Sequence, residues 1–157
     1  MNANLVKPWY EDSKDLEQMA NFVLRRLPES FKDAEKAKFK IFFTTRDPSQ
    51  RHFAGLCRKL DNAIQFRTGL QFIILIYKPY WEEKATNDEK FKVLIHELHH
   101  IQVIEKEDEE TGEVKVIFKV RKHNEEEDFC ELPSHDEYSE TKLQELKASL
   151  SPIQARQ

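Results

Sequence analysis

The chain has 157 residues, of which 39% are hydrophobic and 34% charged, with a formal net charge of −4. That length suits one domain with its own core, and the composition excludes a disordered or collagen-like chain. The acidic balance argues against direct nucleic-acid binding, which calls for a basic footprint, and the longest apolar run, Phe72 to Ile76, is far too short to cross a membrane.

The N-terminal segment MNANLVKPWYEDSK is polar and has no apolar leader, so a cytoplasmic protein is expected. Cys57 and Cys130 form no C-x-x-C pair and are read as reduced thiols. Residues 13–27 place Leu16, Met19, Ala20, Val23, Leu24 and Leu27 at helical spacing, with Ser13 as N-cap and Pro28 as stop. Residues 38–45, KFKIFFTT, are β-branched and aromatic and predict a strand. Residues 51–60 suit a short helix or an irregular segment. Residues 62–67, NAIQFR, alternate and suggest a strand, closed by a turn at Thr68-Gly69. Residues 70–77, LQFIILIY, predict a strand buried on both faces, ended by Pro79.

Thr86 and Glu89 have the spacing of a capping box. Beyond them Phe91, Leu94, Ile95, Leu98, Ile101 and Ile104 extend one helical face. EKEDEETGEV reads as an acidic loop and residues 113–120 as a strand. After the acidic NEEEDF, Ser134 and Glu137 again have capping-box spacing and open a helix to about residue 149. These elements predict a single α+β domain over residues 1–150, a small mixed or antiparallel sheet packed on a central helix with helices at either end. A flexible tail, 151–157, follows.

The central helix contains LIHELHHIQ, residues 94–102. His96, Glu97 and His100 fit H-E-x-x-H. Side chains at i and i+4 are neighbours on a helix, so His96 and His100 can share one zinc ion. Glu97, turned by about 100° from His96, can reach a water on that ion and act as general base. Against a bland charged helix stands the cost of placing such groups in an apolar frame unless something binds them. His99 is expected beside the ligands or at the surface.

Two histidines do not close a zinc site. His52 and His123 read as a loop histidine and a solvated strand end, and Glu126 and Glu127 belong to a charge run. His135, held by Pro133 and the Ser134 cap at the start of the last helix, is chosen as third ligand. Tyr138, three residues on, could hydrogen-bond the oxyanion of the transition state, although a partly buried helix tyrosine is the plainer reading.

Three blocks carry a resemblance: the segment RDPSQRHFAGLCRKLDNAIQFRTG, the strand LQFIILI with YKPYW behind it, and the helix with HELHHI. Together with the pair His135-Asp136, they resemble the phage metallopeptidase family, found in phages and in prokaryotic, including archaeal, genomes. That family is related in outline to the SprT-like and minimal gluzincin peptidases, in which a small sheet packs on an active-site helix. The resemblance covers about two-thirds of the chain. It implies zinc at His96, His100 and His135, with Glu97 as general base and a protein or peptide as substrate; it implies no particular substrate. The expected function is therefore that of a zinc metallopeptidase. The alternatives are a non-catalytic zinc-binding or protein-interaction module, and a SprT-like protease acting on DNA-bound proteins.

Overall fold

The computed structural model describes residues 9–46, 54–122 and 144. Among these, β1 is Tyr10–Glu11, α1 Lys14–Arg26, α2 Lys32–Lys36, β2 Phe39–Thr44, β3 Gly55–Lys59, α3 Asn62–Thr68 and β4 Phe72–Tyr77. The chain continues through α4 Lys78–Glu83, α5 Asn87–His99, β5 Ile101–Glu107 and β6 Val114–Val120. The architecture is α+β, as expected: a four-stranded mixed sheet in the order β1-β2-β4-β3 and a separate β5-β6 pair. β2 runs parallel to β4, while β1 and β3 are antiparallel to their neighbours.

The core explains why these elements stay together. β2 contributes Ile41 and Phe43, and the central strand β4 contributes Phe72, Ile74 and Ile76. They meet Leu16, Ala20 and Val23 of α1 and Val93, Leu94, Ile95 and Leu98 of α5. Every second residue of β4 and every third or fourth of α1 thereby leaves water, the two periodicities that burial of one face requires. Leu75 is also buried, in keeping with a strand covered on both faces. α1 begins where expected, with the Ser13 hydroxyl accepting from the Leu16 N–H at 3.2 Å.

Four local expectations are corrected. Residues 55–59 form β3, paired with β4 from Gly55↔Ile76 to Lys59↔Phe72, rather than a helix or an irregular segment. Residues 62–68 are helical, not extended. Asp61 caps α3 by accepting from the Ile64 N–H at 2.9 Å, and Gly69 closes it in the left-handed conformation at φ 75°. These two caps outweigh six residues of alternation, and no α3 side chain is buried. Pro79 does not merely end β4; it sits in the first turn of α4, where a missing N–H costs nothing.

The fourth correction concerns the central helix, which stops at His99 instead of running on towards Ile104. Residues 101–107 pair with β6 from Ile101↔Val120 to Glu107↔Val114. Ile101, Val103 and Ile104 satisfy a helical and a strand pattern alike, and the hairpin partner decides between them. The short helix α2 was not expected. The expected helix at 134–149 and the tail 151–157 lie outside the described residues, apart from position 144.

Candidate metal centre

The site is built on α5. Its first turn is fixed by a complete capping box: the Thr86 hydroxyl accepts from the Glu89 N–H at 3.2 Å, and the Glu89 carboxylate accepts from the Thr86 N–H at 3.0 Å. These hydrogen bonds hold the Glu89 carboxyl below the usual carboxylate range. From that start the helix lies buried from Val93 to Leu98, so its last two turns deliver polar side chains into the core.

His96, Glu97 and His100 come together there, with one candidate ligand atom from each lying within 4.8 Å of the others. The Nε2 atoms of His96 and His100 are 3.2 Å apart, and the rings stand nearly perpendicular at 81°. Two nitrogens held at about 2.0–2.1 Å from one tetrahedral ion lie roughly 3.3 Å from each other, so the spacing fits a shared ion. His100 Nδ1 faces the Arg121 carbonyl oxygen at 2.5 Å. A carbonyl only accepts, so Nδ1 carries the proton and Nε2 keeps its lone pair for a ligand.

Glu97 is 3% exposed, and its Oε1 is 3.9 Å from His100 Nε2. Burial pushes its carboxyl up to about 8 from an ordinary 4.5. The carboxylate thus lies beside the two imidazoles, in reach of an ion that they could share. Burial, with the Glu97 charge nearby, also raises the Cys57 thiol well above its ordinary range, which marks Cys57 as an unreactive packing residue of β3.

His99 points elsewhere. Its ring packs on Phe31, with centroids 4.4 Å apart. His135 and Tyr138 lie outside the described residues, as do His52, His123, Glu126, Glu127 and Cys130.

Two participants escaped the sequence reading. Gly55 lies so close to Glu97 that a Cβ there would stand 3.1 Å from the Glu97 Cγ. The signal was available, since a glycine inside a strand often marks close approach of another group. The Arg121 carbonyl had no sequence signal, because backbone acceptors are the same at every residue.

A family model described as "Putative phage metallopeptidase" matches residues 7–147. Neither a curated protein nor a solved structure matches the chain. With a metal-compatible His-Glu-His group on its central helix and a match spanning nearly its whole length, the chain belongs to the phage metallopeptidase family.

Proposed function

We propose that the protein is a zinc-dependent peptidase in which His96 and His100 hold the metal, Glu97 is the general base and His135 completes the ligand set. The observation that carries this reading is the 3.2 Å separation of the two imidazole Nε2 atoms beside a buried carboxylate. Three titratable groups at that spacing inside a core are costly unless a cation joins them. Imidazole nitrogens as metal donors suit zinc. When bound, zinc acts as a Lewis acid and lowers the pKa of a coordinated water towards neutrality.

The chain's own groups do the rest. Glu97 takes a proton from the attacking water and returns it to the leaving amine. The Arg121 carbonyl keeps the His100 ring in one tautomer and one orientation. The Tyr138 hydroxyl is the proposed donor to the oxyanion. Among the described residues β3 is an end strand of the four-stranded sheet, and a Cβ at Gly55 in it would stand 3.1 Å from the Glu97 Cγ. A peptide adding to β3 as a further strand would therefore run past the base, a mode of binding that reads backbone before side chains.

The test is to measure bound metal in the parent and in Glu97→Gln, and to assay both on denatured casein. Zinc in both with cleavage only by the parent is the expected result. Zinc in both with cleavage by neither, across several unfolded substrates, would favour a non-catalytic zinc module. Cleavage by Glu97→Gln at the parental rate would remove Glu97 as base.

The third ligand has its own test. Arg121 already touches His100, and His123 follows by two residues, a span of at most roughly 7 Å. His135→Ala and His123→Ala should be compared side by side. Loss of zinc only from His135→Ala is expected; loss only from His123→Ala would move the third ligand to that position. Tyr138→Phe should slow turnover without loss of zinc.

A further inference from the structure

Asp33 and Arg121 lie far apart in sequence and outside the H-E-x-x-H motif, yet they meet at the C-terminal end of α5. The Arg121 Nη1 donates to the His99 carbonyl at 2.6 Å, and Nη2 donates to Asp33 Oδ2 at 3.1 Å. Asp33 Oδ2 also accepts from the Val103 N–H at 3.2 Å. The Arg121 backbone N–H donates to the His100 carbonyl at 2.6 Å, and the Arg121 carbonyl accepts from His100 Nδ1 at 2.5 Å. Asp33 on α2 therefore ties together the start of β5, the chain leaving β6 and, through Arg121, the last turn of α5.

The position of this knot matters because α5 ends there. His100 is the C-cap of the helix, where carbonyls lack intrahelical partners and the backbone is freest to fray. A ligand on the last residue of a helix needs an outside anchor, whereas His96, one turn earlier, is held by the helix itself. The guanidinium fork supplies that anchor in two directions at once, on the His99 carbonyl and on the Asp33 carboxylate. With the fork in place, the Arg121 carbonyl is delivered to the His100 ring.

We propose that Asp33 and Arg121 act as a clamp that positions His100, setting its ring orientation and its tautomer for metal binding. This rests on the reading of His100 as a ligand. Neither residue touches the ion or the substrate; both are positioning residues. The pair is partly exposed, with 43% of the Arg121 side chain and 28% of the Asp33 side chain open to solvent. Such pairs contribute little to global stability, so their substitution leaves the fold intact while loosening the ring.

The test uses the full chain and zinc(II) alone, in competition with a chromophoric chelator. Arg121→Ala and Asp33→Asn are each expected to weaken zinc binding by roughly tenfold or more, the usual effect of losing an outer partner of a ligating histidine. The double variant should be no weaker than the poorer single, because the two act as one unit. Arg121→Lys, which keeps the charge on a single nitrogen and loses the fork, should fall between parent and Arg121→Ala. A second readout needs no metal. The ring-nitrogen spectrum of His100 in the zinc-free parent should show the Nδ1–H tautomer, and Arg121→Ala should show a mixture. Parental affinity and tautomer in both variants would overturn the clamp. His100→Ala separates the clamp from its premise. If it loses zinc while the clamp variants keep parental affinity, the clamp alone fails. If it keeps zinc, the ligand assignment fails and the clamp with it.

Discussion

Replacing Glu97 by Gln should change how the metal-free protein responds to pH, with no need for a substrate. Glu97 is 3% exposed, and burial raises its carboxyl from 4.5 to about 8. The folded protein then holds this proton more tightly than the unfolded chain does. The linked stability is complete below pH 4.5, declines as pH rises, and is lost once pH passes about 8. A shift of that size corresponds to on the order of 5 kcal/mol over the whole window, with about 3 kcal/mol lost by pH 7. For a domain whose total stability is typically about 5–15 kcal/mol, this is a large fraction. Glutamine keeps the shape and cannot ionise, so the variant loses that slope. The assay is urea unfolding of chelator-treated parent and Glu97→Gln at intervals from pH 5 to pH 8.5. The difference between the two curves should grow with pH, in favour of the variant. A constant offset from the glutamine amide would not matter, since only the slope is read. Added zinc should flatten the parent's curve, because a cation favours the ionised carboxylate. Parallel metal-free profiles for parent and variant would refute the claim that Glu97 is costly to ionise in the empty fold.

Other consequences follow from the same geometry. Gly55→Ala would set a Cβ 3.1 Å from the Glu97 Cγ and 3.2 Å from both the Ile76 Cδ1 and the Leu75 carbonyl oxygen. The backbone oxygen cannot yield as a side chain can, so Glu97 shifts by a few tenths of an ångström. Turnover should drop by roughly three- to tenfold with zinc content unchanged, as steady-state kinetics and metal analysis would show. Thr86→Ala removes the hydroxyl that accepts from the Glu89 N–H and should cost about 1 kcal/mol in urea unfolding. In a Cys130→Ser background, the buried Cys57, whose thiol burial pushes upward, should react with a disulfide reagent only as fast as the protein opens. Rapid labelling under native conditions would contradict its burial.

Much of this architecture is legible in local pattern. Ser13, the apolar spacing of α1, the run Phe72 to Ile76 and the Thr86-Glu89 box each name an element whose physics is contained within a few residues. The H-E-x-x-H pattern is of the same kind, because the i, i+4 relation within one helix brings two imidazoles together whatever surrounds them. What misleads is local pattern that two structures satisfy equally. NAIQFR alternates like a strand but is capped as a helix by Asp61 and Gly69. IQVIE continues the helical face of α5 but pairs with β6.

The sequence by itself therefore determined the α+β class, the central helix and the His96-Glu97-His100 group, all set by short-range geometry. Only the tertiary structure decided where that helix ends, which glycine makes room for the carboxylate, and which carbonyl meets the His100 ring. Those depend on Gly55 and Arg121 meeting α5 from distant parts of the chain, with Asp33 holding the Arg121 side chain. Contacts between residues tens of positions apart leave no periodicity to read. They exist only once burial of the shared core has brought β3 and the end of β6 against that helix, and α2 against β5.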